Sequence, residues 1–530
     1  MNRTTRTALA VTATAALAVG GALLLAGRPD PVDDSRAAPD AAGDQAGPGA
    51  RRTGAGETGH HPDRPDVDHD GDGKGDLVTS AANARVGDEE SAGLIVALRG
   101  TANGLSGERS TVVDQDSPGV PGTAEADDRF GAATASGDFD GDGIPDLAVG
   151  SPGEDRHGRA DAGTVTILWG TSSGLTGIGA VRLEAPAPRG GDRLGSHLTA
   201  GDFDGDGQED LAAASKYSTV HVWEGGITRT GATGGHRTRS VPGEWGPTAL
   251  HSGDFTGDGA ADIVVGVRAL RSDGDGNRLP SRDANVLLVG GAAGPRLDRT
   301  QDVPPGVAKA VGDLDRDGCD DLVVGYTDDE EADGTVPEKG ARGGKVWITY
   351  GSPTGFAPSR ATGITRGAPG VPPTSAGDNA FGGGLALGDV DADGRLDLAI
   401  GIPGDNIDGI WDTGAVVLLH GTADGIGTAG ARYLHQETAG VPGSHQGGDR
   451  LGEDLRLDDV TGDGRADLIA AVPGEDGVGG ILYLPADGTG AITTAGARVI
   501  SPASVGVPAR PTDRHDSYLW APGFAERFAD

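Results

Sequence analysis

The sequence predicts an all-β protein, a seven-bladed β-propeller whose ring is closed by a C-terminal strand joining the first blade. Three observations carry this prediction. A nine-residue acidic phrase recurs seven times, short apolar runs flank each copy, and each unit closes on a glycine turn. The chain of 530 residues holds 96 Gly, and aromatics make up only 4% of it. Such a composition suits many short strands joined by glycine turns rather than a thick aromatic core.

The clearest copy of the phrase is Asp138-Phe-Asp140-Gly-Asp142-Gly-Ile-Pro-Asp146, with carboxylates at positions 1, 3, 5 and 9 and Gly at position 6. Copies begin at Asp68, Asp138, Asp202, Asp254, Asp313, Asp389 and Asp459, at steps of 70, 64, 52, 59, 76 and 70 residues. Irregular steps around a fixed kernel describe one structural unit with variable loops. Downstream of the phrase comes a short β-run, as in Leu147-Ala-Val, Leu322-Val-Val and Leu398-Ala-Ile. Then comes Gly-x-Pro or a relic of it, at Gly150-Ser-Pro152, Gly401-Ile-Pro403 and Ala471-Val-Pro473. A second β-run follows, such as Gly163-Thr-Val-Thr-Ile-Leu-Trp169, and ends at a turn like Gly170-Thr-Ser-Ser-Gly174. Upstream of the phrase stands Phe130-Gly131, Leu194-Gly195, Phe381-Gly382 or Leu451-Gly452. About four strands per unit, repeated radially, is the plan of a propeller blade.

The chain ends point to closure of the ring. The first loop lacks an upstream Phe-Gly element, while a surplus half unit runs from Ser501-Pro-Ala-Ser-Val-Gly-Val-Pro508 to Asp513-Arg-His-Asp-Ser-Tyr-Leu-Trp520. Its Gly-Val-Pro matches Gly119-Val-Pro121, Gly370-Val-Pro372 and Gly440-Val-Pro442. The tail is expected to supply the strand the first blade lacks, which removes an exposed sheet edge.

Hard oxygen ligands at alternate positions, with a glycine where the backbone turns sharply, are what a calcium loop needs. Five loops carry aspartate at all four positions: Asp68, Asp70, Asp72, Asp76; Asp138, Asp140, Asp142, Asp146; Asp202, Asp204, Asp206, Asp210; Asp313, Asp315, Asp317, Asp321; and Asp389, Asp391, Asp393, Asp397. Two carry Thr at position 3: Asp254, Thr256, Asp258, Asp262 and Asp459, Thr461, Asp463, Asp467. A hydroxyl brings no charge, so weaker binding is expected there. Position 7 varies freely among Lys74, Ile144, Gln208, Ala260, Cys319, Arg395 and Arg465, which suits a ligand supplied by the backbone carbonyl. The expectation is up to seven Ca²⁺, structural in each blade, with calcium-mediated capture of a ligand as the alternative role. The EF-hand is excluded: it ends in Glu at position 12 between helices, whereas here the last ligand is position 9 and both flanks read as strand.

These residues resemble the FG-GAP repeat of the integrin α-subunit N-terminal propeller, on Phe130-Gly131, Gly150-Ser-Pro152 and Gly401-Ile-Pro403. The resemblance covers about 63–526. It implies cell adhesion or recognition of a protein or glycan. The spacing leaves no room for an inserted domain, and no further extracellular domain, transmembrane helix or cytoplasmic tail is expected after the propeller. Only the propeller is therefore carried over, not the role beside an integrin partner subunit.

Residues 1–27 read as a signal peptide or a retained signal anchor: Arg3 and Arg6 precede an apolar run at 8–26, with Asp30, Asp33 and Asp34 after it. Either way the remainder is expected outside the cell, secreted or on its surface, with a membrane as partner only if the segment is retained. Residues 28–62 are a Pro, Gly, Ala and Asp spacer without periodicity. Cys319 is the single cysteine, which excludes an intrachain disulfide. The net charge of −37, with no basic stripe, argues against nucleic acid. A monomer is expected, with an extracellular protein or glycan ligand.

Other motifs are read as structural. Gly170-Thr-Ser172-Ser-Gly174 fits a nucleophile elbow but opens no helix, and its counterparts elsewhere lack the serine. Asp76 of Lys74-Gly-Asp76 belongs to a loop and should be inaccessible to a receptor. Asp273-Gly-Asp275-Gly-Asn277 reads as a tight turn, and the acidic run at 328–331 and His60-His61 as solvated. No catalytic residue is singled out. The alternative function is a calcium-stabilised extracellular hydrolase or polysaccharide lyase, which would show as a non-repeated carboxylate–His or Tyr–His–Arg cluster at the central channel.

Overall fold

The computed structural model describes residues 67–243, 246–272, 278–327, 339–372, 379–508, 524–525 and 527–529. The leader, the spacer, the turn at 273–277 and the acidic run at 328–331 lie outside these residues, as does the whole of the 513–520 segment.

Every blade follows one strand order, first to fourth from the inside outward. Blade 2 pairs Thr134–Gly137, Asp146–Ser151, Thr164–Leu168 and Val181–Leu183 as successive antiparallel neighbours. Blades 3 to 7 repeat this order, starting at Leu198–Gly201, Pro247–Gly253, Ala308–Gly312, Leu385–Gly388 and Leu455–Asp458. Each acidic phrase connects the first strand to the second. Among the described residues there is no α-helix, only three short 3₁₀ turns.

Blade 1 has three strands of its own, Leu77–Ala81, Leu94–Leu98 and Ser110–Val113. The C-terminal chain supplies the fourth, on the inner side. Thr79 bridges Phe528, Ser80 N donates to Arg527 O at 3.1 Å, and Ala529 N donates to Val78 O at 2.9 Å. The expected closure is present, carried by residues 527–529, just past the boundary at 526. The same segment is held from blade 7, where Phe528 N donates to Asp454 Oδ2 at 2.8 Å and Arg456 donates to Ala529 O.

The apolar core is divided into seven clusters, each shared between successive blades. One joins Ala148, Ile167 and Trp169 of blade 2 to Leu211, Ala213 and Trp223 of blade 3. The closing cluster joins Leu77, Val96 and Leu98 of blade 1 to Ile469, Ile481 and Tyr483 of blade 7, with Phe524 and Phe528 between them. The low aromatic content thus suffices because no blade needs a private core.

The Phe-Gly element is the stitch between blades. Phe130 N donates to Ala92 O of blade 1 at 2.8 Å, and Gly131 N donates to Gly150 O of blade 2 at 3.0 Å. The backbones approach so closely that a Cβ on Gly93 would lie 2.3 Å from Phe130 O. Leu194 against Gly163, Phe381 against Gly344 and Leu451 against Gly414 repeat this contact. Phe524 does so too, with its carbonyl 2.5 Å from where a Cβ on Gly479 would lie. Phe524-Ala525 is therefore the element the first blade lacked in sequence. Ala525 holds the left-handed φ of 64° where the others have glycine, which hid it from pattern reading.

Phe524→Ala should empty the closing cluster and cost about 3–5 kcal/mol, the usual range for a buried Phe. Deleting residues 524–530 should lower the melting temperature further and promote self-association through the bared edge, read by calorimetry and size-exclusion chromatography. An unchanged melting temperature in both variants would contradict closure by this segment.

Candidate metal centres and the carboxylates around them

All seven acidic loops share one hydrogen-bond pattern. The position-1 carboxylate accepts from the N–H groups of positions 5 and 6: Asp138 Oδ1 from Asp142 N at 3.0 Å and Oδ2 from Gly143 N at 2.9 Å. Asp459, in a Thr-containing loop, does the same with Asp463 N and Gly464 N at 3.1 and 2.7 Å. Position 5 then accepts from the N–H of position 7, as Asp142 Oδ1 does from Ile144 N at 3.0 Å. The turn demands a left-handed residue at position 6, where Gly143 has φ 89°.

Position 9 has a second role that sequence reading missed. Asp146 Oδ2 accepts from Phe139 N, at position 2, at 3.1 Å, and its Oδ1 accepts from Gly170 N, in the turn between strands three and four, at 2.8 Å. Asp76, Asp210, Asp321 and Asp397 make the same pair of bonds. The carboxylate pins two separate loops of one blade together. The one sequence signal was Gly170 and its counterparts at a fixed place after the third strand. Position 2 is a buried plug, with Phe139, Phe203, Phe255 and Val390 at most 1% exposed.

Five loops bring three carboxylates together with ligand oxygens within 4.8 Å of one another, and these are the five all-aspartate loops. The sets are Asp68, Asp70, Asp76; Asp138, Asp140, Asp146; Asp202, Asp204, Asp206; Asp313, Asp315, Asp321; and Asp389, Asp391, Asp397. Position 5 stays outside the set in four loops, and position 9 in the third. Among the described residues, the loops at Asp254 and Asp459 form no such set. There Thr256 and Thr461 turn their hydroxyls toward the position-1 carboxylate, at 3.4 and 3.3 Å.

The sets could hold a metal ion. Oδ1 of Asp140, Asp204 and Asp315, all at position 3, is buried without a hydrogen-bond partner, and such orphaned oxygens call for a ligand. At Asp140 and Asp315 the outer oxygen is already paired with an arginine that sequence reading did not mark. Arg229, from a turn of blade 3, bonds Asp140 Oδ2 at 2.8 Å and Asp142 Oδ2 at 3.2 Å while covering Trp169. Arg360 bonds Asp315 and covers Tyr350.

Burial pushes the position-9 carboxyls up, to about 7 for Asp76, Asp146, Asp262 and Asp467 and to about 8 for Asp210 and Asp321, with the neighbouring loop carboxylates adding to the shift. Burial dominates even though two backbone donors favour the charged form.

The remaining motifs that fall on described residues are structural in their contacts. Thr171 Oγ1 donates to Gly174 O at 2.8 Å, closing Gly170–Gly174 as a turn. Asp76 is 3% exposed. Cys319 is buried, and its thiol is pushed up to about 11 by burial.

In chelator, raised carboxyl values mean that stability present at acid pH is lost as pH rises from about 4, the unfolded value, through 7–8. The melting temperature should therefore fall between pH 5 and pH 8 in EGTA, and the fall should vanish in millimolar Ca²⁺. Gly143→Ala, which meets no atom within 4 Å, should cost only the left-handed strain of about 1–2 kcal/mol.

Residues 130–168 match the FG-GAP repeat, from the Phe-Gly stitch through the third strand of blade 2, and residues 202–265 match the FG-GAP-like repeat. Phosphatidylinositol-glycan-specific phospholipase D of Rattus norvegicus is 32% identical over 148 residues, covering 28% of this chain and 17% of that protein. Integrin alpha pat-2 of Caenorhabditis briggsae is 31% identical over 194 residues, covering 34% and 14%. Integrin alpha-6 of Homo sapiens is 32% identical over 129 residues, covering 24% and 9%. The matches span less than a fifth of the length of each of these relatives. Repeated phrase, blade geometry and these similarities together show an integrin-α-like seven-bladed propeller that carries FG-GAP repeats.

Proposed function

We propose that this chain is an exported calcium-binding propeller that captures an extracellular protein or glycan, with Ca²⁺ structural in the blades. The acidic loops would hold the ion through their aspartates and the position-7 carbonyls of Lys74, Ile144, Gln208, Ala260, Cys319, Arg395 and Arg465. The oxygen-only donor set and the charge favour a hard divalent cation. Seven such ions would offset 14 of the 37 net negative charges.

The difference between the two faces carries the binding part of this reading. One face holds the acidic loops and the turns pinned to them. The opposite face holds the connections from second to third strand and from blade to blade, which vary most. Three of the large apolar side chains most exposed among the described residues lie there: Trp411 at 63%, Tyr217 at 57% and Val307 at 51%. Exposed aromatics beside polar loops are what protein and glycan binders use. Export is supported by the charged and apolar layout of residues 1–27. Among the described residues, no helix is long and apolar enough to cross a membrane.

A hydrolase is the second reading, favoured by the similarity to the phospholipase D. The inner strands bring together His197 and His251, with Lys309 and Arg527 among their charged neighbours. Burial holds both imidazoles uncharged, His197 down to about 3.

An array of glycans and matrix proteins probed in Ca²⁺ should yield a ligand whose affinity falls at least tenfold in Trp411→Ala or Tyr217→Ala at unchanged melting temperature. Turnover of a phosphodiester or polysaccharide substrate, lost in His251→Ala, would instead establish the second reading.

A further inference from the structure

Three blade boundaries carry the same three-residue device at identical spacing. Gln115, Asp128 and Glu154 stand between blades 1 and 2, Arg366, Asn379 and Asp405 between blades 5 and 6, and Gln436, Asp449 and Glu475 between blades 6 and 7. In each set the second residue follows the first by 13 positions and the third follows the second by 26. The first residue comes two places after the fourth strand of one blade. The second opens the Phe-Gly stitch, and the third follows Gly-x-Pro in the next blade.

The geometry repeats as well. Gln115 Nε2 donates to Glu154 Oε2 at 2.6 Å, and Gln436 Nε2 to Glu475 Oε2 at 2.5 Å. Asn379 Nδ2 donates to Asp405 Oδ1 at 3.0 Å. The carbonyl of the second residue accepts from the glycine before the third at 3.1 Å in all three sets.

The sets differ in how charge is balanced. Between blades 5 and 6, Arg366 Nη2 lies 3.2 Å from Asp405 Oδ2, and the second residue is an amide. Between blades 1 and 2 there are two carboxylates, and Arg182 and Arg156 lie 3.6 and 3.8 Å from Glu154 Oε1. Between blades 6 and 7 there are again two carboxylates, Asp449 at 0% and Glu475 at 6% exposure. The fourth-strand position that holds Arg182 in blade 2 holds Val499 in blade 7, which packs beside Glu475 at Gly480. His445 stands near Asp449, but its Nδ1 is engaged with Glu437 Oε1 at 2.6 Å. Asp476 adds further negative charge to the pair.

Two buried oxygens in this third set lack a hydrogen-bond partner, Asp449 Oδ1 and Gln436 Oε1, the latter on a side chain only 4% exposed. Gly443 packs closely against the set: a Cβ there would come within 3.1 Å of Glu475 Oε1 and 3.2 Å of Gln436 Nε2, tighter than ordinary contact. We propose that Asp449, Glu475 and Gln436 form a further cation site between blades 6 and 7, separate from the acidic loops, which takes a hard divalent ion such as Ca²⁺. The ion does there what Arg366 does one boundary earlier. All donors are oxygens, and two carboxylates match a divalent charge. Burial first, and then the neighbouring carboxylates, hold Glu475 up to about 7 and Asp449 up to about 6, the cost that a bound cation would offset.

The test transplants the balanced set. Gln436→Arg/Asp449→Asn in the full chain reproduces the composition found between blades 5 and 6, and Asp449→Asn/Glu475→Gln removes the charge outright. Equilibrium dialysis against Ca²⁺ should show one ion fewer per chain in both variants than in the wild type. Terbium emission excited through Trp411, which packs against Gly447 beside the site, should fall at least fivefold in the Arg/Asn variant. Loss of loop binding would lower wild type and variants alike and so cannot mimic this difference. Equal ion counts and equal Trp411-sensitised emission would overturn the proposal, as would stability of the wild type that depends on pH but not on the cation at this boundary. If the charge-deleted variant fails to fold, the Arg/Asn variant decides alone.

Discussion

The structure hangs on the buried aspartate at position 9 of each acidic loop. In the five all-aspartate loops its two oxygens tie the start of the loop to the turn between the third and fourth strands, while Asp262 and Asp467 keep the bond to that turn, so one side chain fixes the loop-bearing end of a blade. A carboxylate buried to a few per cent exposure carries a heavy desolvation cost, and two backbone donors do not remove it. Two further carboxylates are held nearby by the turn itself. The same geometry that makes each blade rigid therefore concentrates negative charge, and a divalent cation is the simplest agent to relieve it.

Between blades the constraint is steric rather than electrostatic. The Phe-Gly backbone lies against a glycine at the start of the previous blade's third strand, at distances no Cβ could tolerate. This contact sets the spacing at which one apolar cluster serves two blades. It also explains why so glycine-rich a chain forms an ordered ring. The glycines stand where backbones meet, and the large side chains, few as they are, fill the seams.

Division of labour between the faces follows. One end of every blade is tied down by carboxylates, joined by arginines at the loops of Asp138 and Asp313, while the opposite end is free to vary in length and composition. Blade boundaries add a third element, a buried polar key whose charge is balanced differently at each place it occurs. Function is expected to reside in what departs from the repeat: the exposed loops around Trp411 and Tyr217, and the boundary whose key lacks an arginine.

The seven loops, the strand order around them and closure by the tail were legible in the sequence. Each rests on local spacing, and spacing survives translation into backbone geometry. Phe524-Ala525 was not legible as a Phe-Gly element, because an alanine can adopt the left-handed conformation that glycine adopts more cheaply. Nor was the second role of Asp146 and its counterparts, or the reach of Arg229 into the loop at Asp138, because both join residues that lie far apart in the chain. The boundary keys lie between these cases. Their spacing of 13 and 26 was written in the sequence, but only packing of successive blades brings Gln436, Asp449 and Glu475 into one buried place, with Val499 where blade 2 has Arg182. Local sequence thus determined what each blade is; the ring decided which charges meet, because burial and neutralisation depend on what the next blade presents.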